Sequence, residues 1–440
     1  MTIKHAIKGF SKLSKEQKIE KIGSMLHDEE RIMNLLKSFW HSSPKAQKLF
    51  DEFSENTISN YFFPYGVAPN LMVNGEVFMA PMVIEESSVV AAAANSARFW
   101  IERGGFHSKV ISTTKTGQVH FIWEGDDKLL QNAFPALRAN MLKQTKAITE
   151  NMEKRGGGIL DIELVNKRNE IPGYYQINAS FDTRDAMGAN FINTCLEDFA
   201  GVLKSDLDMN PDYGGNACQV IMSILSNYTP ECIVETHVEC PVSSLKDVDD
   251  CCGPMEFAKK FETAIKISKV DVFRAATHNK GIFNGIDAVA LATGNDFRAI
   301  EACGHAYAAR SGKYQGLTDI ELSQDHFKYS LRIPLSIGSV GGLTSLHPLA
   351  KFSLELMGNP GAEKLMMIAS AVGLANNFSA IKSLVTKGIQ KGHMKMHLLN
   401  LLNSQGASDA EKQMAVEFFK THKVSSKSVS GFLKQIRVSV

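Results

Sequence analysis

The chain has 440 residues, is 44% hydrophobic and 22% charged, and carries Lys+Arg 48 against Asp+Glu 47 for a formal net charge of +1. That is too long for one compact core and apolar enough for two or three domains, while the even charge balance excludes the basic excess of a general nucleic-acid binder. The seven cysteines are odd in number and form no CxxC, which argues against a disulfide framework or a zinc site and fits a reducing compartment. No signal-peptide core opens the chain and the longest apolar run, 365–375, is too short to span a bilayer, so a cytoplasmic protein away from membranes is expected.

In chain order, residues 1–60 read as polar and helical, with "SKEQ" (14–17) as a capping box. Residues 80–105 read as a short apolar strand, a turn and an Ala-rich helix, which Ser87 or Ser88 would cap and Gly104-Gly105 would end. "QVHFIWEG" (118–125) alternates as a half-buried strand, and 129–152 is helical with an irregularity expected at Pro135. Strands follow at 159–166 and 173–182, then a helix at 191–203 and a strand at 218–227. The order β-α-β-β-α-β is the ferredoxin-like split arrangement. The fold class expected is therefore α+β: a large domain of 1–108 and 229–384 in which helices dominate, an inserted small domain of 109–228, and a separate C-terminal helical element of 385–440.

Several segments carry polar residues that packing alone would not select. "DTRDAMGAN" (182–190) joins a strand to a helix, where free N–H groups suit phosphate; it is not a Rossmann fingerprint, and a plain turn shaped by Gly188 and Asn190 is the competing reading. Lys280 and Asp296 sit in Gly/Asn-rich stretches that read as turns at a pocket rim, against the alternative of a surface ion pair. Glu86 precedes the Ala-rich helix, where a carboxylate favours the helix dipole in any case. His393 and His397 have i, i+4 spacing but no third ligand nearby, so no metal is indicated. "GSVGGLTSLHP" (338–348) is a glycine-rich loop, weak alone. Cys303 is the one candidate for a cysteine nucleophile, with a packed helical thiol as the better reading.

Together, "EESSVVAAA", "GGG" (156–158), "DAMGAN", "RAATHNKGIFNGID", "LATGNDFRAIEACGHAYAARSG", "GSVGGLTSLHP" and "GIQKGHM" stand in one order over most of residues 55–397. In these the chain resembles the 3-hydroxy-3-methylglutaryl-CoA (HMG-CoA) reductases of the soluble bacterial class, class II. The resemblance implies four-electron reduction of HMG-CoA to mevalonate and coenzyme A with two NAD(P)H, or the reverse oxidation of mevalonate. A non-catalytic acyl-CoA or dinucleotide sensor on the same fold would be expected to lose one of the four catalytic residues, and none is lost. It implies Lys280 as the group polarising the substrate carbonyl, Glu86 as proton donor, Asp296 as holding the lysine, and His393 as general acid on the departing thiolate. Ser88, Arg274, Asn284, Asn376 and His397 fall at positions implied to hold substrate. Asp185, Met187, Gly188, Asn190 and Asn227 fall at implied dinucleotide contacts. Thr149 stands where NADH-preferring relatives have an aspartate, so NADPH is the expected donor, with NADH also accepted. The resemblance further implies that the small domain binds the dinucleotide, that the C-terminal element is a flap, and that the active site lies at a homodimer interface, within a dimer or a higher oligomer. The chain departs from the usual pattern at Ser87, where proline is common, and at Asn376, where glutamine is frequent.

Overall fold

The computed structural model describes residues 7–208, 217–246, 248, 253–386 and 398–438. By its internal contacts the chain divides into two units, Met1–Pro64 and Tyr65–Val440. The first holds helices α1 (Lys15–Leu26), α2 (Glu29–Ser38) and α3 (Pro44–Asp51), with Ser14 and Gln17 forming the expected capping box at α1. Lys15 ties this unit together: its ammonium bonds Asp51 at 2.8 Å and lies 4.0 Å from the centre of the Trp40 ring.

The second unit opens with a hairpin of β1 (Tyr65–Val73) and β2 (Glu76–Val83). Its two-residue turn, Asn74-Gly75, has φ of 50° and 83°, the left-handed pair that matches the twist of the strands. Helix α4 (Ser87–Ile101) follows, with Glu86 rather than either serine at the N-cap and no side-chain cap bond. As expected, Gly104 and Gly105 lie just past its end, at φ 98° and 76°, and the Gly105 amide bonds back to the Trp100 carbonyl.

A four-stranded antiparallel sheet forms next from β4 (Lys115–Trp123), β5 (Gly158–Asn166), β6 (Tyr174–Asp182) and β7 (Cys218–Leu225), in spatial order β5-β6-β4-β7. Helices α5 (Asp127–Gln144), α6 (Lys146–Glu153) and α7 (Ala189–Leu203) connect them. This is the ferredoxin-like order expected from the sequence. Its core is its own: Val119, Phe121, Trp123, Ile177, Phe181, Leu196 and Phe199. Pro135 is accommodated inside α5, and the break in the helical stretch falls instead at Thr145, whose hydroxyl donates to the Met141 carbonyl at 2.8 Å and so competes with helix continuation.

Helix dominates 229–384 as expected, but a second antiparallel sheet, which the sequence did not announce, also runs through that part of the fold. It is built from β3 (His107–Val110), β8 (Ile233–Pro241), β9 (Thr318–Leu322) and β10 (His326–Pro334), ordered β3-β8-β10-β9. Against it pack α8 (Pro254–Val270), α9 (Val272–Ala292), α10 (Phe297–Ala308) and α13 (Ala362–Val385), with α11 (Gly342–Leu346) and α12 (Pro348–Leu356) lying before α13 in the chain. Trp100, Phe261, Phe327, Tyr329 and Phe378 interlock at the centre; Phe261 stands edge-on to Tyr329 at 5.0 Å and to Phe327 at 5.5 Å. Phe261→Ala is expected to cost about 3–5 kcal/mol, read as a fall in the urea midpoint. An unchanged midpoint would show that this cluster lies outside the cooperative core.

Helix α13 is long and apolar enough to cross a membrane by length and composition, which the apolar run alone did not suggest, but most of it is buried inside the fold. The described C-terminal residues, including helices Asp409–Phe418 and Ser426–Val438, have a small core of their own around Leu402, Phe419, Val429 and Leu433.

Candidate active site

Lys280 is not in a turn, as its glycine- and asparagine-rich surroundings suggested, but in the middle of α9. The neighbouring polar residues explain why. Asn279 is fully buried and holds Gln315 and Leu317 through its amide, while buried His278 bonds the Thr318 hydroxyl at 2.6 Å. Asn377 of α13 donates to the His278 carbonyl at 2.6 Å. These bonds fix the helix and leave Lys280 on its solvent side. Burial drives the His278 pKa down to about 3, so this histidine is a neutral tether.

The Lys280 ammonium meets the Glu86 carboxylate at 3.3 Å, Nζ to Oε2. The other carboxylate oxygen, Oε1, accepts from the Ser88 hydroxyl at 2.6 Å. Three expected site residues from segments almost two hundred positions apart are thus joined. Asn284 lies one turn further along α9, half-buried. Three residues beyond it, Asp287 is pushed well above the usual carboxylate range by burial and by the Glu301 carboxylate beside it, a feature the sequence reading missed.

Asp296 stands at the N-cap of α10. Burial raises its pKa, but two hydrogen bonds from the Arg298 guanidinium and backbone N–H groups of Arg298 and Ala299 outweigh this and hold it below the usual range. Its ion-pair partner is therefore Arg298, and among the described residues no ion pair joins it to Lys280. Next to it, the side chain of Asn295 bonds the backbone of Gly338 in both directions, at 2.8 and 3.0 Å.

That clasp closes one wall of a cleft of about 380 Å³. Met187, Gly188 and Asn190 line one side, and Gly294, Asn295 and the glycine-rich stretch from Gly338 to Thr344 line the other. Two segments that were weak signals separately face each other here. Gly188 has φ 92°, and a Cβ on it would lie 2.3 Å from the Thr183 side chain, so glycine is needed twice over. Asn190 is an ordinary helical residue; the second unusual backbone angle belongs to Arg184, at φ 51°. Asp185 is turned to the N-terminus of α13, where it accepts the Ala362 amide at 2.7 Å. Asn227 lines a small adjoining space with Met187.

Other expected residues stand elsewhere. Arg274 is half-buried beside Tyr329, and burial lowers its pKa; its position in the helical turn differs from that of Lys280. Asn376 is buried, bonding the Val372 carbonyl, and faces α9 at Gly285. Thr149 is buried and donates to Glu153 at 2.7 Å. His393 and His397 lie outside the described residues. Cys303 is buried on α10 and burial raises its pKa; nearby His305 is engaged by Tyr314 at 2.7 Å, so no activated thiol stands here.

The family profile described as Hydroxymethylglutaryl-coenzyme A reductase matches residues 16–398. The chain belongs to the hydroxymethylglutaryl-coenzyme A reductase family. It is 36% identical over 423 residues to the 3-hydroxy-3-methylglutaryl-coenzyme A reductase of Archaeoglobus fulgidus, covering 93% of this chain and 90% of that one. It is 31% identical over 442 residues to the probable enzyme of Borreliella burgdorferi, covering 98% of each. Among solved structures it is similar to the class II HMG-CoA reductase of Streptococcus pneumoniae bound to NADPH in open conformations, with a TM-score of 0.70 and 35% identity over 87% of this chain and all of that one. A second structure of the reductase from that organism gives 0.71 at 34% identity over 98% of this chain and all of that one. The family consists of oxidoreductases, and the mixed helix-and-sheet architecture described above is that of the class II reductases.

Proposed function

We propose that the Lys280–Glu86 pair is the reactive centre at which this reductase converts HMG-CoA to mevalonate and coenzyme A, consuming two NADPH and two protons. The observation that carries the reading is the 3.3 Å contact between an ammonium and a carboxylate that are both open to solvent. Such an exposed pair adds little to stability, whereas an ammonium beside a carbonyl stabilises the oxyanion that forms on reduction. The dinucleotide supplies hydride when bound. Lys280 donates a hydrogen bond to the oxygen that gains charge. Glu86, held by Ser88, returns a proton to that oxygen as the alcohol forms. Asp296, held charged by Arg298, follows Asn295 of the cleft wall in the chain and sets the local potential felt by Lys280 and Glu86. His393 supplies the proton that lets coenzyme A leave as a thiol. The enzyme works as a cytoplasmic homodimer, and the measurement of NADPH oxidation with and without HMG-CoA tests the activity: oxidation independent of the thioester would overturn it.

The donor preference follows from the surroundings of Thr149. In place of a bare carboxylate, a buried hydroxyl stands there, bonded to Glu153, and Glu153 is itself paired with Lys146. Glu150 is paired with Lys154 at 2.8 Å. A 2′-phosphate brought beside Thr149 would therefore meet matched charges rather than net repulsion, and the NADPH bound to the Streptococcus pneumoniae relative is in keeping with this reading. The kcat/KM for NADPH is expected to exceed that for NADH at one ionic strength. The reverse order would show that Glu150 or Glu153 is exposed to the ribose.

A further inference from the structure

Strand β4 alternates strictly, and its inward face reads Lys115, Gly117, Val119, Phe121 and Trp123. Four of these suit a core. The first is a lysine with only 3% of its surface exposed. Burying an ammonium is costly unless its protons find acceptors. The Lys115 ammonium finds two, both in the connection from β6 to α7: the Thr183 hydroxyl at 2.5 Å and the Ala186 carbonyl at 2.8 Å. The Thr183 hydroxyl itself donates to the Ala186 carbonyl at 2.7 Å, so the three groups form a closed ring. Burial lowers the lysine's pKa, and the charges of Asp182 and Asp185 act the other way.

The connection held in this way is the one that lines the 380 Å³ cleft through Met187 and Gly188. It needs holding, because it turns through left-handed angles at Arg184 and Gly188 before α7 begins. Helix α7 has no side-chain cap at its N-terminus, so its first amides are available to an anion or an amide-bearing ring at the cleft. Lys115 does not line that cleft. It borders a separate space of about 20 Å³, the size of one water molecule, together with Met187, Asn227 and Cys303.

We propose that Lys115 is a positioning residue for the nicotinamide dinucleotide: from beneath, its ammonium locks Thr183–Gly188 into the shape that presents Met187, Gly188 and the start of α7 to the cofactor. This rests on the reading of the cleft as the dinucleotide site. Lys115→Met in the full chain, titrated with NADPH alone by nucleotide fluorescence, is expected to raise Kd by about tenfold or more, what losing a charge-assisted hydrogen bond gives. The KM for HMG-CoA is expected to stay within about twofold, below the effect of one lost hydrogen bond. A lysine that merely supports the fold would lower the unfolding midpoint and leave the Kd of the folded protein unchanged, which would overturn the assignment. So would parallel rises in Kd for NADPH and KM for HMG-CoA. Thr183→Val keeps the ammonium and removes its hydroxyl partner, and it decides the matter if Lys115→Met fails to fold. Its Kd should rise in the same direction, and an unchanged Kd would refute the lock. A wild type that binds NADPH but leaves HMG-CoA untouched would remove the substrate assignment alone, so the two failures are distinguishable.

Discussion

Lys280→Ala is expected to lower kcat by about 10²- to 10³-fold, the loss found when one preorganised donor to a developing oxyanion is removed. The effect should fall on kcat more than on KM, because the ammonium is needed most when the carbonyl oxygen carries charge. Both hydride steps should suffer, since a thioester and an aldehyde develop negative charge on the same oxygen. The fold should survive. The Lys280 side chain is 63% exposed and its one described ion pair is to Glu86, so the unfolding free energy from urea titration should change by no more than about 1 kcal/mol. The anchors of the helix are Asn279 and His278, not the lysine. Near-normal turnover in this variant would remove Lys280 from the reaction, and a collapsed midpoint would show that it is part of the scaffold instead.

His393→Gln is expected to divide the two halves of the reaction. Thioester reduction expels a thiolate, whose pKa near 8.5 makes it a ready acceptor from an imidazolium near 6.5. Loss of such a general acid costs about 10²- to 10⁴-fold. Free mevaldehyde contains no coenzyme A, so its reduction should be affected far less. Steady-state rates on both substrates, with matched NADPH, make the comparison. Equal losses would mean that His393 binds substrate or closes the site rather than handing over a proton.

Much of the architecture was legible because its periodicities are local. The alternation in β4, the short apolar runs of β5, β6 and β7 and the apolar faces of α5 and α7 together write out the split β-α-β-β-α-β unit, and the turn chemistry of Gly188 marks where one of its loops lies. The second sheet was missed although β8 alternates Val234, Val238 and Cys240 inward with Glu235, His237 and Glu239 between them. Its partner β10 is almost a hundred residues away, and pairing at that distance leaves no local mark. The hairpin at Asn74-Gly75 had a local mark that went unread.

The site divides along similar lines. The motifs named Glu86, Ser88 and Lys280, and hydrogen bonds join them. Lys280 was misread as lying in a turn because Asn279, Gly281 and Gly285 are poor helix formers, and their reasons for being there are tertiary. Asp296 was expected beside the lysine but is held by Arg298, two residues on, a pairing too ordinary in sequence to stand out. Lys115 was passed over because one lysine at the start of a strand looks like a solvated end.

Gly285 gives α9 a fulcrum. A Cβ there would lie 2.6 Å from the Val372 carbonyl oxygen of α13, so the two helices touch backbone to backbone at that point. Lys280 stands five residues away, about 7.5 Å along the helix. A tilt of about 8° about the contact would carry the start of its side chain roughly 1 Å, and a displacement of that size can cost about a hundredfold in rate. On the proposed reading, Lys280 is thus aimed by a lever whose pivot, between Gly285 and Val372, is buried in the core. Changes to α13 that leave the protein well folded can still disarm it, and attempts to harden this protein against heat by filling space around Gly285 would be trading aim for rigidity.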